Sequence, residues 1–431
     1  MAGFIKNNNS QAFFLSKWHK LLATSNNLSN NNNAYYHWQK VEKLGLPIIN
    51  NNNKWKNKQI DSLLSHDFTK LFVNNVSSAE CDNISLNLDA YRLVFINGKF
   101  ISKLSDNYTG NWQVKVELAN KLLPMPIYSE VFLHITESLS DETTYIRLTA
   151  GKVEKKPIYI LHISKTINNN LNILNYRHHI DIENNAKGQV IEHFVSLSNN
   201  NLKHFSGARM TINVSDNAYL SHIKLSCETS QCYHFAHNDI IIGNNAIVRD
   251  HTVMMSQGIT QHQTSMQLNG ERSDLLVKSL LLTINKDISD ICTYLEHNKG
   301  YCISSQLHKI ISCNNSKGIF NGIIKVNKNA FQTDSKMINN NLLLGKFAEI
   351  YSKPFLEIYN NDVKCSHGAT VSCIDNDQMF YLRSRGLTYH DAKQIIISAF
   401  TEDIINTIEN NNIKNILLNC IKEALNRLLN L

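Results

Sequence analysis

The sequence predicts a mainly β protein. Its core is expected to be a right-handed parallel β-helix, or flattened β-solenoid, flanked by N-terminal and C-terminal helical regions. Three observations carry this expectation. A unit made of a short alternating strand, a polar turn and Asn-Ala recurs: Ile180-Asp181-Ile182 before Asn185-Ala186, Ile212-Asn213-Val214 before Asn217-Ala218, Ile240-Ile241-Ile242 before Asn245-Ala246, and Ile324-Lys325-Val326 before Asn329-Ala330. The intervals are 32, 28 and 84 residues, the last being three times 28, and such self-similarity marks stacked units that bury their apolar faces only against their neighbours. The same region lacks continuous apolar helical faces of about ten residues or more. Apolar stripes at helical spacing are found instead toward the ends of the chain.

Taken in order, residues 1–75 read as an N-terminal helical region, polar and with Ala12-Phe13-Phe14-Leu15, Trp18, Leu21 and Leu22 at roughly helical spacing. Asn30–Asn33 and Asn50–Asn53 are low-complexity breaks and read as exposed loops. The tryptophans are assigned to core or docking. Residues 76–165 shift to a strand pattern that enters the core. Tyr91 to Phe100 is a β-rich run with a turn at Asn97-Gly98, and Val131–Ile135 and Pro157–Ile163 read as alternating strands. Residues 166–387 form the predicted β-helix, in which Asn tolerates left-handed turn geometry and Ala fits a crowded corner. Residues 388–431 form the C-terminal helical domain. Thr388 with Asp391 resembles a capping box, Ala392, Ile395, Ile396, Ala399 and Phe400 make one stripe, and Ile413, Ile416, Leu417, Ile421, Leu425, Leu428 and Leu429 make a second after a break at Asn410–Asn412.

The bulk properties narrow the function. The 431 residues suffice for two or three domains. The net charge of +7 is spread along the chain with Lys and Asn, without the basic patch and interleaved aromatics of a nucleic-acid binder. Nine cysteines in no regular framework favour reduced thiols and a cytoplasmic protein. The N-terminal stretch lacks the features of a signal peptide, and no run approaches the ~18 apolar residues of a membrane span. There is no G-x-x-x-x-G-K-[ST] loop, so the chain is not expected to hydrolyse ATP itself, and neither G-x-G-x-x-G nor G-x-S-x-G appears. β-Solenoids that process polysaccharides usually carry clustered carboxylates along a groove, whereas the acids here are scattered.

The stretch richest in chemistry is Asp362-Val363-Lys364-Cys365-Ser366-His367-Gly368-Ala369-Thr370, followed by Phe380-Tyr381-Leu382-Arg383-Ser384-Arg385-Gly386. If extended, it places Cys365 and His367 on one strand face. Thiolate sulfur and imidazole nitrogen suit a soft or borderline metal, but two ligands do not complete a site, and on spacing alone a structural cysteine beside a hydrogen-bonded histidine is the plainer reading. Twelve histidines fall within residues 166–387, Tyr233-His234-Phe235-Ala236-His237 being the tightest group, and satisfied or exposed side chains are the default for them.

These motifs resemble the signature of the SufB/SufD scaffold family of iron–sulfur cluster assembly. The resemblance extends to Tyr36-His37-Trp38, Leu44-Gly45-Leu46-Pro47, Lys54-Trp55-Lys56, Asp290 to His297, Ser305 to Lys309, Lys317 to Gly322, Gln332-Thr333-Asp334 and Asn341 to Leu344. Asn339-Asn340-Asn341 stands where the SufB branch carries a cysteine, which places the chain on the SufD side. Ser372, followed by Cys373, replaces the family's glycine after H-G-A-T-V. The resemblance implies a non-enzymatic scaffold in a complex with a SufB-like paralogue and a SufC-like ABC ATPase, pairing through the C-terminal end of the solenoid. It implies a transient iron–sulfur cluster or iron at His367, with Cys365 as companion thiol. ATPase docking is expected on the C-terminal helices, with Phe400, Ile404, Ile405 and Ile408 as candidate contacts. Flavin involvement and homodimerisation of the isolated chain stay open. So do two rivals, a purely structural partner subunit without its own ligand and a carbohydrate-active β-helix.

Overall fold

The structure, a computed structural model, describes residues 15–22, 31–46, 63, 66–70, 76–165, 171–197, 203–228, 232–255 and 257–428. The expected Asn50–Asn53 loop, Lys54-Trp55-Lys56 and Leu429 lie outside them. Helix α1 covers 15–22 and α2 spans Asn32–Leu44. A short β1 (Phe68–Thr69) and α3 (Ser78–Ile84) lead to the entry strands β2 (Tyr91–Ile96), β3 (Lys99–Phe100) and β4 (Trp112–Leu118). Helix α4 (Val131–Leu139) precedes β5 (Glu142–Leu148) and β6 (Ile158–Ser164). The solenoid strands follow: β7 (Leu171–Ile182), β8 (Lys187–Ser196), β9 (His204–Val214), β10 (Tyr219–Cys227), β11 (Cys232–Ile242), β12 (Ile247–Met254), β13 (Gly258–Leu268), β14 (Asp274–Thr283), β15 (Ile288–His297), β16 (Ile303–Ser312), β17 (Lys317–Val326), β18 (Thr333–Leu343), β19 (Glu349–Ile358) and β20 (Val363–Cys373). Helices α5 (Asn376–Ser384), α6 (Tyr389–Ile405) and α7 (Asn411–Leu428) close the described chain.

Odd strands from β5 to β19 stack in one sheet, with β4 at its end and β1 beside β7. Even strands from β6 to β20 stack in the other, with β2 and β3 at its end. With two strands per turn, β7 to β20 make seven turns, all paired in parallel. The two sheets face each other across one apolar interior of Ile180, Ile212, Ile240, Met266, Leu295 and Ile324 against Leu220, Val248, Leu275 and Met337. The corners obey the expected chemistry. Asn185, Asn217, Asn245, Asn285 and Asn314 have φ of 51–59°, and Ala186, Ala218, Ala246 and Ala330 are buried. At the 329–332 corner Gln332, at φ 53°, takes the left-handed position. Corner asparagines also bond along the axis, Asn245 Nδ2 donating to Asn217 Oδ1 at 3.2 Å and Asn298 Nδ2 to Asn269 Oδ1 at 2.7 Å. Part of the asparagine excess is therefore structural.

Two helical coats cover opposite outer faces. On the odd-strand sheet, Trp18, Trp38, Phe132, Phe205 and Phe235 form one cluster. On the even-strand sheet, Leu280, Ile311 and Leu342 pack against Ile397, Ile404, Ile405, Ile408 and the buried side of α7. Two expectations are corrected here. Val131–Ile135 is helical: Glu130 caps α4 by accepting from the Phe132 and Leu133 amides, and every residue of α4 is buried, so no polar face exposes the helical period. Asn31–Asn33 is not an exposed loop. Asn31 caps α2 through a 3.0 Å bond from the Ala34 amide, and Asn33, fully buried, donates to Glu137 O at 3.1 Å.

Residue Glu137 of α4 is the polar anchor of its coat. Arg177 Nε donates to Glu137 Oε2 at 2.5 Å, while Arg209 lies 3.3 Å from Glu137 Oε1 and 2.6 Å from Asp239 Oδ2. All four side chains are buried, and removing one member of such a set strands its partners.

Candidate functional site

The last turn positions the chemistry that the sequence singles out. Among the described residues, strand β20 pairs only with β18 and ends the even-strand sheet, and β19 ends the odd-strand sheet. Both therefore present an unpaired edge at one end of the solenoid, flanked by exposed Phe355, Ile358, Tyr359 and Val371. Register puts Cys365 beside Ser335 and His367 beside Met337. Met337 is buried in the interior, so Cys365 and His367 extend the inward-facing rows to the open end, on one strand face as the alternation demands. His367 is exposed. Cys365 is half-buried against the interior, and its thiol is pushed up by burial and then by the Asp334 carboxylate. An unassisted thiolate is disfavoured there, so a cation or a partner's positive charge is needed to form one. Gly368 faces open space and Cys373 is exposed on the same strand.

The row that ends in His367 passes through a charged cluster in the middle turns. In the strand register His367 follows Met337, Gln306, Val277, Asp250 and His222. His222 Nδ1 is 2.6 Å from Asp250 Oδ1, and Nε2 is 3.1 Å from Glu192 Oε2. Lys224 Nζ lies 3.4 Å from the same Glu192 oxygen and 4.7 Å from the Phe194 ring centroid. All are buried. Burial works against a charged His222 ring, but the Asp250 and Glu192 carboxylates prevail and raise it to about 9. The one signal of this cluster in the sequence is charged residues at strand positions 192, 222, 224 and 250. Only the stacking register brings them together.

The histidine-rich segment does not form one group. Alternation sends His234 inward toward Ser206 and Glu228, while Phe235 stacks on Phe132 at 3.9 Å and His237 meets Glu130 at 3.0 Å on the outer face. The four candidate docking residues lie against the chain's own solenoid. Ile404 and Ile405 are fully buried and Ile408 is 4% exposed, all in the seam with the even-strand sheet. Phe400 is half-buried under Lys309, whose Nζ is 4.6 Å from its ring centroid. The expected stripe is shifted, because Ile395 is exposed while Ile397 and Thr401 are buried. Helix α6 is tied down by Lys309 donating to Phe400 O at 2.6 Å and pairing with Asp403 at 2.7 Å, and by Lys278 donating to Asp403 O at 2.6 Å, cations placed where a helix C-terminus favours them. Thr388 caps α6, its Oγ1 accepting from the Asp391 amide at 3.1 Å. Phe380, Tyr381, Tyr389 and Ile395 remain exposed on α5 and α6. No described helix is long and apolar enough to cross a membrane.

Comparisons with known proteins agree with this geometry. The family model described as "SUF system FeS cluster assembly, SufBD core domain" matches residues 164–400, the solenoid with α5 and most of α6. The iron-sulfur cluster assembly protein SufD of Escherichia coli (strain K12) is 41% identical over 427 residues, covering 99% of each chain. The SufBD family protein slr0076 of Synechocystis sp. (strain ATCC 27184 / PCC 6803 / Kazusa) is 27% identical over 387 residues, 85% of each chain. Protein ABCI7, chloroplastic, of Arabidopsis thaliana is 27% identical over 305 residues, 69% of this chain and 63% of that protein. With a solenoid matched to the SufBD core and nearly its whole length aligned to a SufD protein, this chain belongs to the SufBD family of iron–sulfur cluster assembly proteins, on its SufD side.

Proposed function

We propose that the chain is a scaffold subunit that completes a cluster-assembly site by pairing its open solenoid end with a SufB-like paralogue. The observation that carries this reading is the terminal turn: two unpaired edges, an apolar rim and the inward-facing Cys365 and His367 at one end. Unpaired parallel edges with apolar flanks are templates for another chain. The nascent iron–sulfur cluster, or iron, is the substrate. His367 would offer it a neutral ring nitrogen, and Cys365 a thiolate formed on metal binding. A SufC-like ATPase would supply the ATP hydrolysis for which this sequence carries no P-loop. It would meet the exposed Phe380, Tyr381, Tyr389 and Ile395, while Ile404, Ile405 and Ile408 hold the helices on the solenoid. The assembly is expected to work in the cytoplasm.

Two measurements test the reading. Affinity capture of the tagged full-length chain is expected to bring down a SufB-like paralogue and an ABC-type ATPase in stoichiometric amounts, and their absence would reject the scaffold assignment. In the reconstituted complex, His367→Ala should lower iron and acid-labile sulfide content by ~10-fold or more, as loss of a metal-site group does. Unchanged content would make the chain a purely structural subunit. The visible spectrum of the same complex reads whether flavin accompanies it.

A further inference from the structure

A second group of ligating side chains lies away from the terminal strand. His204 and Cys232 open the adjacent strands β9 and β11 and are direct register partners. Glu228 follows β10 and reaches between them. One ligand atom from each of His204, Glu228 and Cys232 lies within 4.8 Å of the other two, and all three residues are buried. The odd-strand sheet continues for four more strands from β11 to its β19 edge, roughly 19 Å at the usual inter-strand spacing. This group is therefore separate from Cys365 and His367.

We propose that His204, Glu228 and Cys232 form a binding site for a single borderline divalent cation, zinc or ferrous iron. The donor set is the first argument. One imidazole nitrogen, one thiolate and one carboxylate oxygen are what such ions take, and three protein ligands leave a fourth position open. Charge is the second. A carboxylate and a thiolate neutralise a dication, which suits a buried site. Support around the carboxylate is the third. His204 Nε2 donates to Glu228 Oε1 at 2.7 Å, Ser164 Oγ donates to the same oxygen at 2.9 Å, and His234 Nδ1 lies 3.0 Å from Glu228 Oε2. These are the outer contacts that orient a ligating carboxylate. His234 is fully buried and its Nε2 has no hydrogen-bond partner among the described residues, so donor capacity remains beside the triad. The thiol of Cys232 lies 3.0 Å from Gln257 O. Binding expels the Cys232 thiol proton to solvent and moves the His204 proton from Nε2 to Nδ1, so the metal replaces the Nε2–H that now bridges to Glu228.

The test uses the full-length chain, purified and also refolded with Zn²⁺ or Co²⁺ so that burial cannot hide the site. Elemental analysis of the purified chain separates zinc from iron. The Co²⁺ form should show a thiolate-to-cobalt charge-transfer band at one equivalent. Cys232→Ser and His204→Gln should each abolish the band or weaken cobalt binding at least ~10-fold, while Cys365→Ser leaves it intact. Circular dichroism identifies a variant that fails to fold, and Glu228→Gln then stands in for it. No metal and no cobalt band in the wild-type chain would overturn the proposal, leaving a buried ion pair. A band lost only in Cys365→Ser would also overturn it, by assigning the metal to the terminal strand.

Discussion

The middle turns of the solenoid and its last turn share one backbone plan and one inward row, yet they treat polar side chains in opposite ways. Around β8 to β12, Glu192, His222, Lys224 and Asp250 are enclosed by further strands on both sides, and each has an oppositely charged neighbour within 3.4 Å. At β20 the row of His222 and Asp250 emerges at an edge, and His367 is exposed. The difference is one of neighbours, because a strand with two partners must satisfy its inward polar groups internally. A strand with one partner can keep them for something that arrives.

The comparison can be broken most severely in the middle. Replacing Glu192 with alanine leaves the buried Lys224 without its carboxylate and His222 with Asp250 alone, and the cost should be about 3–5 kcal/mol in urea unfolding. A loss below about 1 kcal/mol would mean that these charges behave like solvated surface pairs. A smaller, pH-dependent effect sharpens the same point. His222 is raised from 6.5 to about 9 in the folded chain, so its contribution to stability is fully present below pH 6.5 and is lost as pH rises through 9. The melting temperature should fall across that window and lose this slope in His222→Gln. Lys224, lowered mainly by burial, acts in the opposite sense, so the difference between wild type and variant isolates His222. The smallest effect belongs to the open end. His367→Ala should change the stability of the isolated chain by no more than ~0.5 kcal/mol. A larger loss would show that His367 is part of the fold rather than held free for a ligand.

Legibility followed the range of the interactions involved. The Asn-Ala corners were readable because left-handed turn geometry and a small corner residue are local demands, met at Asn185, Asn217 and Asn245. The alternation of Cys365 and His367 was readable for the same reason. Helix α4 was not, because Val131–Ile135 alternates by chance and the element is buried on all sides. The stripe of α6 was misplaced because Lys278 and Lys309 on the solenoid help set which side of the helix turns inward. The contact between His204 and Glu228 was invisible, since 24 residues separate them and only their strand context brings them together.

By itself, then, the sequence determined the stacked β architecture, the turn chemistry, the family signature and the shared face of Cys365 and His367. The architecture, the turns and the shared face follow from local dihedral preferences and period-two alternation, whereas the family signature rests on motif resemblance. Only the tertiary structure decided which inward residues become neighbours. Register across parallel strands joins side chains about 28–32 residues apart, and no local rule encodes whether the joined groups form an ion pair, a ligand set or an open edge.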